Sequence, residues 1–497
     1  MEHYGLWSLV PPLVAIVLAI RTRQVYVSLL VGIFLGWVIL SGGNPLTGFF
    51  ATLQGLVDVF KEPSNTRTIL FSALVGALIA FVQRSGGVGG FVQRLDAWLR
   101  QSEARQAGKN PTGVRRKVEG LAFLTGMLVF VESSISVLTV GALFRPVFDR
   151  LKIPREKLAY LADSSSAPSC ILIPFNAWGA YIMSLLVLQG FERPFATLIS
   201  SIPYNFYPLL AVLLVLVVIF TRKDWGPMRA AEVRAHTTGQ VLRPGAKPLL
   251  SAEVTALEAK PGAPLRMRNM LLPIGLMVLL MPLMLAYTGW EGVTQEGIGP
   301  VGHFFRAIGQ GSGSSAVLYS VSISLLVSAA LYMAQGILTG GELVDLTLRG
   351  ISDLMPLALL MLLAFAIGNI CGALGTGHFA AEAVQGWLSP GLVPAVVFVV
   401  SGFVAFSTGT SWGTFAIMIS IAIPMAQVLD APLSLTLAAA LGGGIFGDHC
   451  SPISDTTILS SMASASDHID HVRTQLPYAL LAAGGALLLY LAFGLLL

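Results

Sequence analysis

The sequence predicts an all-α polytopic membrane protein of two inverted-topology repeats, with about ten transmembrane helices, two re-entrant hairpins and unwound transmembrane helices at a central site. Three observations lead there. Of the 497 residues, 55% are hydrophobic and only 11% are charged, against roughly 25% charged in soluble domains. Apolar runs long enough to cross a hydrocarbon core of about 30 Å recur from end to end. Two further apolar stretches, one in each half of the chain, are interrupted by a polar cluster where a plain span would be uniformly apolar.

The crossing runs lie near residues 5–20, 24–41, 67–83, 156–187, 205–221, 269–287, 315–335, 354–371, 433–461 and 477–496. The first has no basic leader and no small-residue cleavage site, so it is expected to remain as an uncleaved span. The interrupted stretches are 118–146, which carries Glu132-Ser133-Ser134, and 391–424, which carries Ser407-Thr408-Gly409-Thr410-Ser411. Arg115, Arg116 and Lys117 precede the first, and Arg145, Arg150 and Lys152 follow it. A single crossing would strand one basic cluster on the wrong side. A hairpin of two half-helices, each of about a dozen residues and about 18 Å long, returns the chain to the side it came from. Its polar tip must then line a protein-enclosed cavity.

With both stretches drawn as hairpins, the basic residues fall almost entirely on one face. Of the 30 Lys and Arg, only Lys61, Arg67, Arg193 and Arg306 fall on the other. The positive-inside rule makes the rich face cytoplasmic and sends both termini outside an inner membrane, even with the long 222–268 segment set aside. That bias accounts for the net charge of +4, so no nucleic-acid partner is expected. Residues 222–268, polar and scattered with Pro and Gly, read as a cytoplasmic linker. They divide the chain into a first repeat, 1–221, and a second, 269–497. An odd number of spans in each forces opposite orientations. Weak echoes agree: I-A-F-V-Q-R-S-G-G-V-G-G at 79–90 faces F-A-I-G-N-I-C-G-A-L-G-T-G at 365–377, and Pro146 and Pro154 are spaced as Pro424 and Pro432.

The chemistry concentrates in A-D-S-S-S-A-P-S-C at 162–170 and G-G-G-I-F-G-D-H-C-S-P-I-S-D-T-T at 442–457. Each sets an Asp before a hydroxyl-rich stretch with a Pro, which removes a helical hydrogen bond. Both helices are expected to unwind there. A hard cation prefers carboxylate, hydroxyl and carbonyl oxygens, so Na⁺ is placed at Asp163 and Asp448. Its further candidate ligands are Glu132, Ser133 and Ser134, Ser164, Ser165 and Ser166, Thr408, Thr410 and Ser411, and Ser451 and Ser454. Asp455 is either a ligand or the N-cap of a half-helix starting near Thr456. His449 is either a proton relay or a hydrogen-bonding prop. His378, Asn176 and Asn369 are further polar candidates. Each membrane-depth carboxylate costs at least about 3 kcal/mol, and every Lys and Arg belongs to a loop or a span end. Exchange of H⁺ for Na⁺ on a carboxylate answers that cost. Cys170, Cys371 and Cys450 lack metal-ligand spacing, and neither a nucleotide loop nor a catalytic constellation is present, so no enzyme and no cofactor is expected.

The string G-D-H-C-S-P-I-S-D-T-T at 447–457 closely resembles the hallmark segment of the NhaC family of sodium:proton antiporters, within the ion transporter superfamily. V-E-S-S-I-S-V-L at 131–138 and L-A-D-S-S-S-A-P at 161–168 are similar to its first-half counterpart. The resemblance runs over about residues 120–480. It implies two inverted repeats with re-entrant hairpins, homodimers embedded in membrane lipid, and a secondary transporter exchanging Na⁺ and H⁺. Similar sequences are assigned to malate/lactate exchange and to amino-acid uptake, so coupled movement of a small organic solute stands as the alternative. The lack of an intramembrane Arg clamp for an organic carboxylate favours cation exchange.

Overall fold

The computed structural model describes residues 4–22, 24–91, 93, 94, 97, 101, 111–130, 133–248, 259–293, 299–384 and 388–497. Among these the chain is helical throughout, its one β feature an isolated bridge between Pro248 and Asp467. The first half of the chain runs through α1 (Val10–Thr22), α2 (Val25–Leu40), α3 (Pro45–Asp58), α4 (Pro63–Arg84), α5 (Pro111–Leu128), α6 (Ser133–Arg150), α7 (Arg155–Leu172), α8 (Ala177–Leu188), α9 (Pro194–Ser201) and α10 (Phe206–Thr221). After α11 (Gly226–Thr238), the second half follows as α12 (Arg268–Gly289), α13 (Pro300–Gln310), α14 (Gly313–Ala334), α15 (Gly340–Ala373), α16 (Thr376–Val384), α17 (Val393–Thr408), α18 (Ser411–Val428), α19 (Leu433–Cys450), α20 (Asp455–Ser464) and α21 (His468–Leu496). Among the described residues eight helices are long and apolar enough to cross a membrane, and up to ten if each of two bent pairs is one span. The pairs are α2 with α3, bent by 120°, and α7 with α8, bent by 42°.

Both interrupted stretches fold back as antiparallel helix pairs, although α17 and α18 are each among the helices long and apolar enough to cross a membrane. In the first, Arg115 near the start of α5 donates to the Lys152 carbonyl just beyond α6 at 3.2 Å, so the outer ends of the two arms lie together. In the second, α19 runs parallel to α17: Gly443 packs on Phe398 and Gly402, and Gly447 on Gly402 and Phe406. Since α18 delivers the chain to the start of α19 through a short turn, it must run back along α17. Gly409 closes this hairpin with φ +69, a left-handed conformation that glycine adopts without steric cost. The arms have 16 to 18 residues, longer than the expected dozen. In the first hairpin the surplus is the basic outer turns, Arg115–Lys117 and Arg145–Arg150, which extend the helices past the apolar run.

The helix breaks differ from expectation. α7 continues through Asp163–Pro168 and ends at Leu172, and the gap falls at 173–176. Ser165 and Ser166 turn their hydroxyls back onto the Ala162 and Asp163 carbonyls of the same helix at 3.2 and 2.9 Å. α19 likewise carries Asp448 inside its last turn and breaks only at Ser451–Ser454.

The described parts of the 222–268 segment, residues 222–248 and 259–268, pack against the helices around them. Met228, Ala231 and Ala235 are buried on one face of α11, a stripe that the surrounding charges hide in sequence. Arg234 pairs with Glu156 at 2.9 Å, the Arg155 N–H reaches the Val241 carbonyl, and Arg243 pairs with Asp470 at 3.0 Å. Asp467 accepts from the Lys247 N–H at 2.8 Å. Partial burial pushes its carboxyl up, but N–H donors from Lys247, Asp470 and Ile469 and the nearby Arg243 outweigh this and hold it below the usual carboxylate range.

Close glycine contacts set the helix crossings. α4 meets α15 at Gly76 and Gly350, where a Cβ on Gly76 would fall 2.0 Å from the Gly350 carbonyl oxygen. Only small residues allow such approach. Gly76→Leu is expected to cost at least about 1–3 kcal/mol through overpacking, seen as a lowered thermal unfolding midpoint of the purified protein; an unchanged midpoint refutes the crossing.

Candidate ion-binding site

Each hairpin tip rests on the helix break of its own half. The Phe130 carbonyl at the first tip accepts from Asn176 Nδ2 at 3.0 Å and from Cys170 Sγ at 3.2 Å. Asn176 also donates to the Cys170 and Ile173 carbonyls, both at 2.8 Å, and caps α8 by accepting from the Gly179 N–H. At the second tip, a Cβ on Gly409 would fall 2.5 Å from the Ile453 carbonyl oxygen, and Ser451 Oγ donates to the Phe406 carbonyl at 2.7 Å. Carbonyls freed at membrane depth thus find donors inside the protein.

Between the breaks lie the two acids. Asp448 is buried, and its carboxylate oxygens accept from Ser411 Oγ at 2.7 Å and Ser454 Oγ at 2.6 Å. Ser411 opens α18 and Ser454 is the N-cap of α20, so two helix N-termini, each a partial positive charge, converge on one carboxylate. Asp163 is fully buried two turns into α7. Its Oδ2 accepts from Gln475 Nε2 at 2.7 Å and Thr457 Oγ1 at 3.3 Å. Its Oδ1 is buried without a hydrogen-bond partner.

His449 stands between the acids. Its Nε2 lies 4.0 Å from Asp163 Oδ2 and 3.0 Å from Ser164 Oγ, and its Nδ1 lies 2.7 Å from Tyr207 Oη. Thr457 Oγ1 lies 3.5 Å from the Asp448 carbonyl and so bridges the two acidic segments. Gln475 also donates to the His449 carbonyl. The cluster therefore joins α7 and α10 to α18, α19, α20 and α21.

Asp163, Ser164, Ser411, Asp448, His449 and Ser454 come together as the sequence suggested. Asp455 is not the N-cap, a role Ser454 takes. It is the first residue of α20, exposed, accepting from the Thr456 N–H at 2.7 Å. Ser165 and Ser166 face their own helix, as does Thr408, which donates to the Val404 carbonyl at 2.9 Å. Thr410 is buried in the tip and its carbonyl accepts from Thr414 Oγ1. Ser451 braces the break. Ser133 is buried; Glu132 and the side chain of Ser134 lie outside the described residues. Sequence reasoning missed Tyr207, Thr457 and Gln475. Thr457 closes the quoted motif, and Gln475 is the last polar residue before the apolar run of α21, a position open to notice. Among the described residues no three His, Cys, Asp or Glu side chains gather as for a transition metal. Carboxylates ringed by hydroxyls suit a hard monovalent or divalent cation.

Ser454→Ala removes both the α20 cap and a donor to Asp448. It is expected to cost about 1–2 kcal/mol, more than Ser411→Ala, which removes a donor alone. Equal midpoints for the two variants in thermal unfolding would contradict the dual role.

Residues 187–495 match the model of the Na+/H+ antiporter family. A protein of Haemophilus influenzae, itself uncharacterised, is 34% identical over 99% of this chain and 91% of its own length. The malate-2H(+)/Na(+)-lactate antiporter of Bacillus subtilis is 29% identical, over 31% of this chain and 34% of that protein. Among solved structures, the YdaH transporter of Alcanivorax borkumensis aligns with 90% of this chain and 88% of its own at a TM-score of 0.52 and 13% identity, a likeness of fold alone.

Proposed function

This chain belongs to the Na+/H+ antiporter family and is a secondary antiporter, and we propose that it exchanges Na⁺ for H⁺ by alternating access on the carboxylates of Asp163 and Asp448. One observation carries the reading: both acids are buried, and among the described residues neither pairs with a Lys or Arg, the nearest ion-pair partner being His449 at 4.0 Å from Asp163. An uncompensated carboxylate at membrane depth costs at least about 3 kcal/mol. Neutralising it with a proton or with a cation removes that cost, and the two compete for the same oxygens. Asp163 Oδ1, the Asp448 carboxylate, Ser164, Ser411, Ser454 and Thr457 are the oxygens we assign to Na⁺, with the exposed Asp455 adding negative charge at the start of α20. His449, between the acids, is assigned to hold the cluster through Tyr207 and Ser164.

The packing supports two inverted repeats, residues 1–221 and 269–497. α10 lies against both α7 and α19, and α21 lies against both of the same helices, the exchange expected when two like units interlock about a pseudo-two-fold axis. α4 packs on α14 and α15, while α15 packs on α2 and α4. The charge bias orients the protein with the α11 face in the cytoplasm and the termini outside. A second reading, coupled movement of a small organic anion, draws on the partial likeness to the malate/lactate antiporter.

Asp163→Asn and Asp448→Asn keep shape and one oxygen but remove the titratable charge, and each is expected to abolish Na⁺-evoked proton release in proteoliposomes. Calorimetry on the wild type is expected to show weaker Na⁺ binding as pH falls, because protons compete for the carboxylates. Retained binding with unchanged pH dependence in Asp448→Asn would displace the assignment. Malate or lactate required for proton release would establish the second reading instead. A cysteine placed at residue 237 is expected to react with impermeant reagents from the cytoplasmic side only; labelling from outside reverses the orientation.

A further inference from the structure

A cleft of about 570 Å³ opens where α10 and α11 meet α5 and α7, and none of the residues that line it belongs to the acid cluster. At its base, Lys157 is buried, donating to Asp224 at 2.9 Å and Glu232 at 3.1 Å and lying 3.5 Å from Glu119. Arg115, only 8% exposed, donates through Nη2 to Glu232 at 2.8 Å and to the Lys152 carbonyl at 3.2 Å. Its Nε is buried without a partner. Arg222, Lys223 and Arg229 line the same cleft and make no ion pair among the described residues. The left-handed turn at Arg222, φ +56, ends α10 and sets the first two of these at the rim. The acids of the base are already engaged by Lys157 and Arg115, so the three rim cations leave the cleft net positive.

We propose that this cleft binds a phosphate-bearing anion, and that its source is the headgroup of an anionic phospholipid. Guanidinium groups match phosphate oxygens in geometry and charge, and Arg115 Nε and the rim cations supply donors that no acceptor among the described residues takes. The lipid source follows from the surroundings. Leu213, Val217 and Phe220, spaced i, i+4 and i+7 on α10, are 53%, 38% and 62% exposed, an apolar stripe that ends at Arg222 and can carry an acyl chain. Trp225, also exposed, stacks on Tyr478 beside the cleft, as aromatic side chains do at the level of headgroups. Basic pockets between spanning helices on the cytoplasmic side recognise anionic headgroups.

The test uses the full-length protein in nanodiscs of phosphatidylcholine, titrated with phosphatidylglycerol and, separately, with inorganic phosphate, binding being followed by native mass spectrometry and calorimetry. The variant Arg222→Ala/Lys223→Ala/Arg229→Ala is expected to bind phosphatidylglycerol roughly a hundredfold more weakly, at about fivefold for each cation removed. Wild-type affinity is expected to fall as ionic strength rises. Tight binding of inorganic phosphate with no preference for phosphatidylglycerol, lost in the variant, keeps the phosphate site and overturns the lipid source. Equal affinity of variant and wild type for both probes, or wild-type binding indifferent to salt, overturns the proposal.

Discussion

A broken helix at membrane depth exposes carbonyl oxygens where no water can reach them, and each unsatisfied group costs several kcal/mol in order-of-magnitude terms. The arrangement of this protein follows from meeting that demand. Asn176 answers it in the first half of the chain, giving hydrogen bonds to three carbonyls, two from the end of α7 and one from the hairpin tip. Ser451 answers it in the second half by reaching back to Phe406. The hairpins therefore dock on the breaks, and the breaks hold the hairpins. Since the docking sets where α18 and α20 begin, it also fixes where their N-termini point.

Those N-termini explain why Asp448 can be buried. Removing a carboxylate from water demands hydrogen-bond donors and positive potential, and Ser411, Ser454 and two helix dipoles provide both without a formal charge. Asp163 is held differently. Its support comes from Gln475 and Thr457, on helices far along the chain, and one of its oxygens has no donor among the described residues. The two acids are thus unequal: one is saturated by local structure, the other is incompletely satisfied and depends on contacts between distant segments. A fixed positive side chain such as Lys would neutralise either site permanently and leave nothing for a mobile ion to do. Among the described residues none pairs with either acid, the feature on which the proposed exchange rests.

The fold was legible in the sequence because its signals are compositional. Apolar runs mark spans, and basic flanks on both sides of 118–146 demand a return to the same face, as Arg115 bonding beyond α6 bears out. The positions of the breaks were less legible. Pro168 suggested unwinding at Asp163, but one proline costs a helix a single hydrogen bond, and α7 continues through it to Leu172. The backbone gave way only beyond that residue, where Asn176 supplies donors to several carbonyls at once. The site was half legible: Asp448, His449 and Ser454 belong to one conspicuous string, whereas Gln475 and Tyr207 join through tertiary packing that no local pattern encodes. Asp455, which resembled a cap, lost that role to Ser454, whose shorter side chain accepts from the Thr457 N–H while still donating to Asp448.

The strength of different contacts indicates where motion is possible. α17 and α19 are locked through Gly402, Gly443 and Gly447, and α4 and α15 through Gly76 and Gly350, with backbones too close to slide past one another. Close-packed surfaces of that kind are bistable or rigid, and do not deform smoothly. The links from α7 and α10 to α19, α20 and α21 at the acids are of another kind: Tyr207 with His449, His449 with Ser164, Gln475 and Thr457 with Asp163. Each is a hydrogen bond between side chains, worth about 1 kcal/mol net, and each can be traded for one to water or to an ion. The polar seam through the acids is therefore joined by contacts that exchange at far lower cost than the glycine crossings, and it is the surface along which rigid helix groups can part most readily.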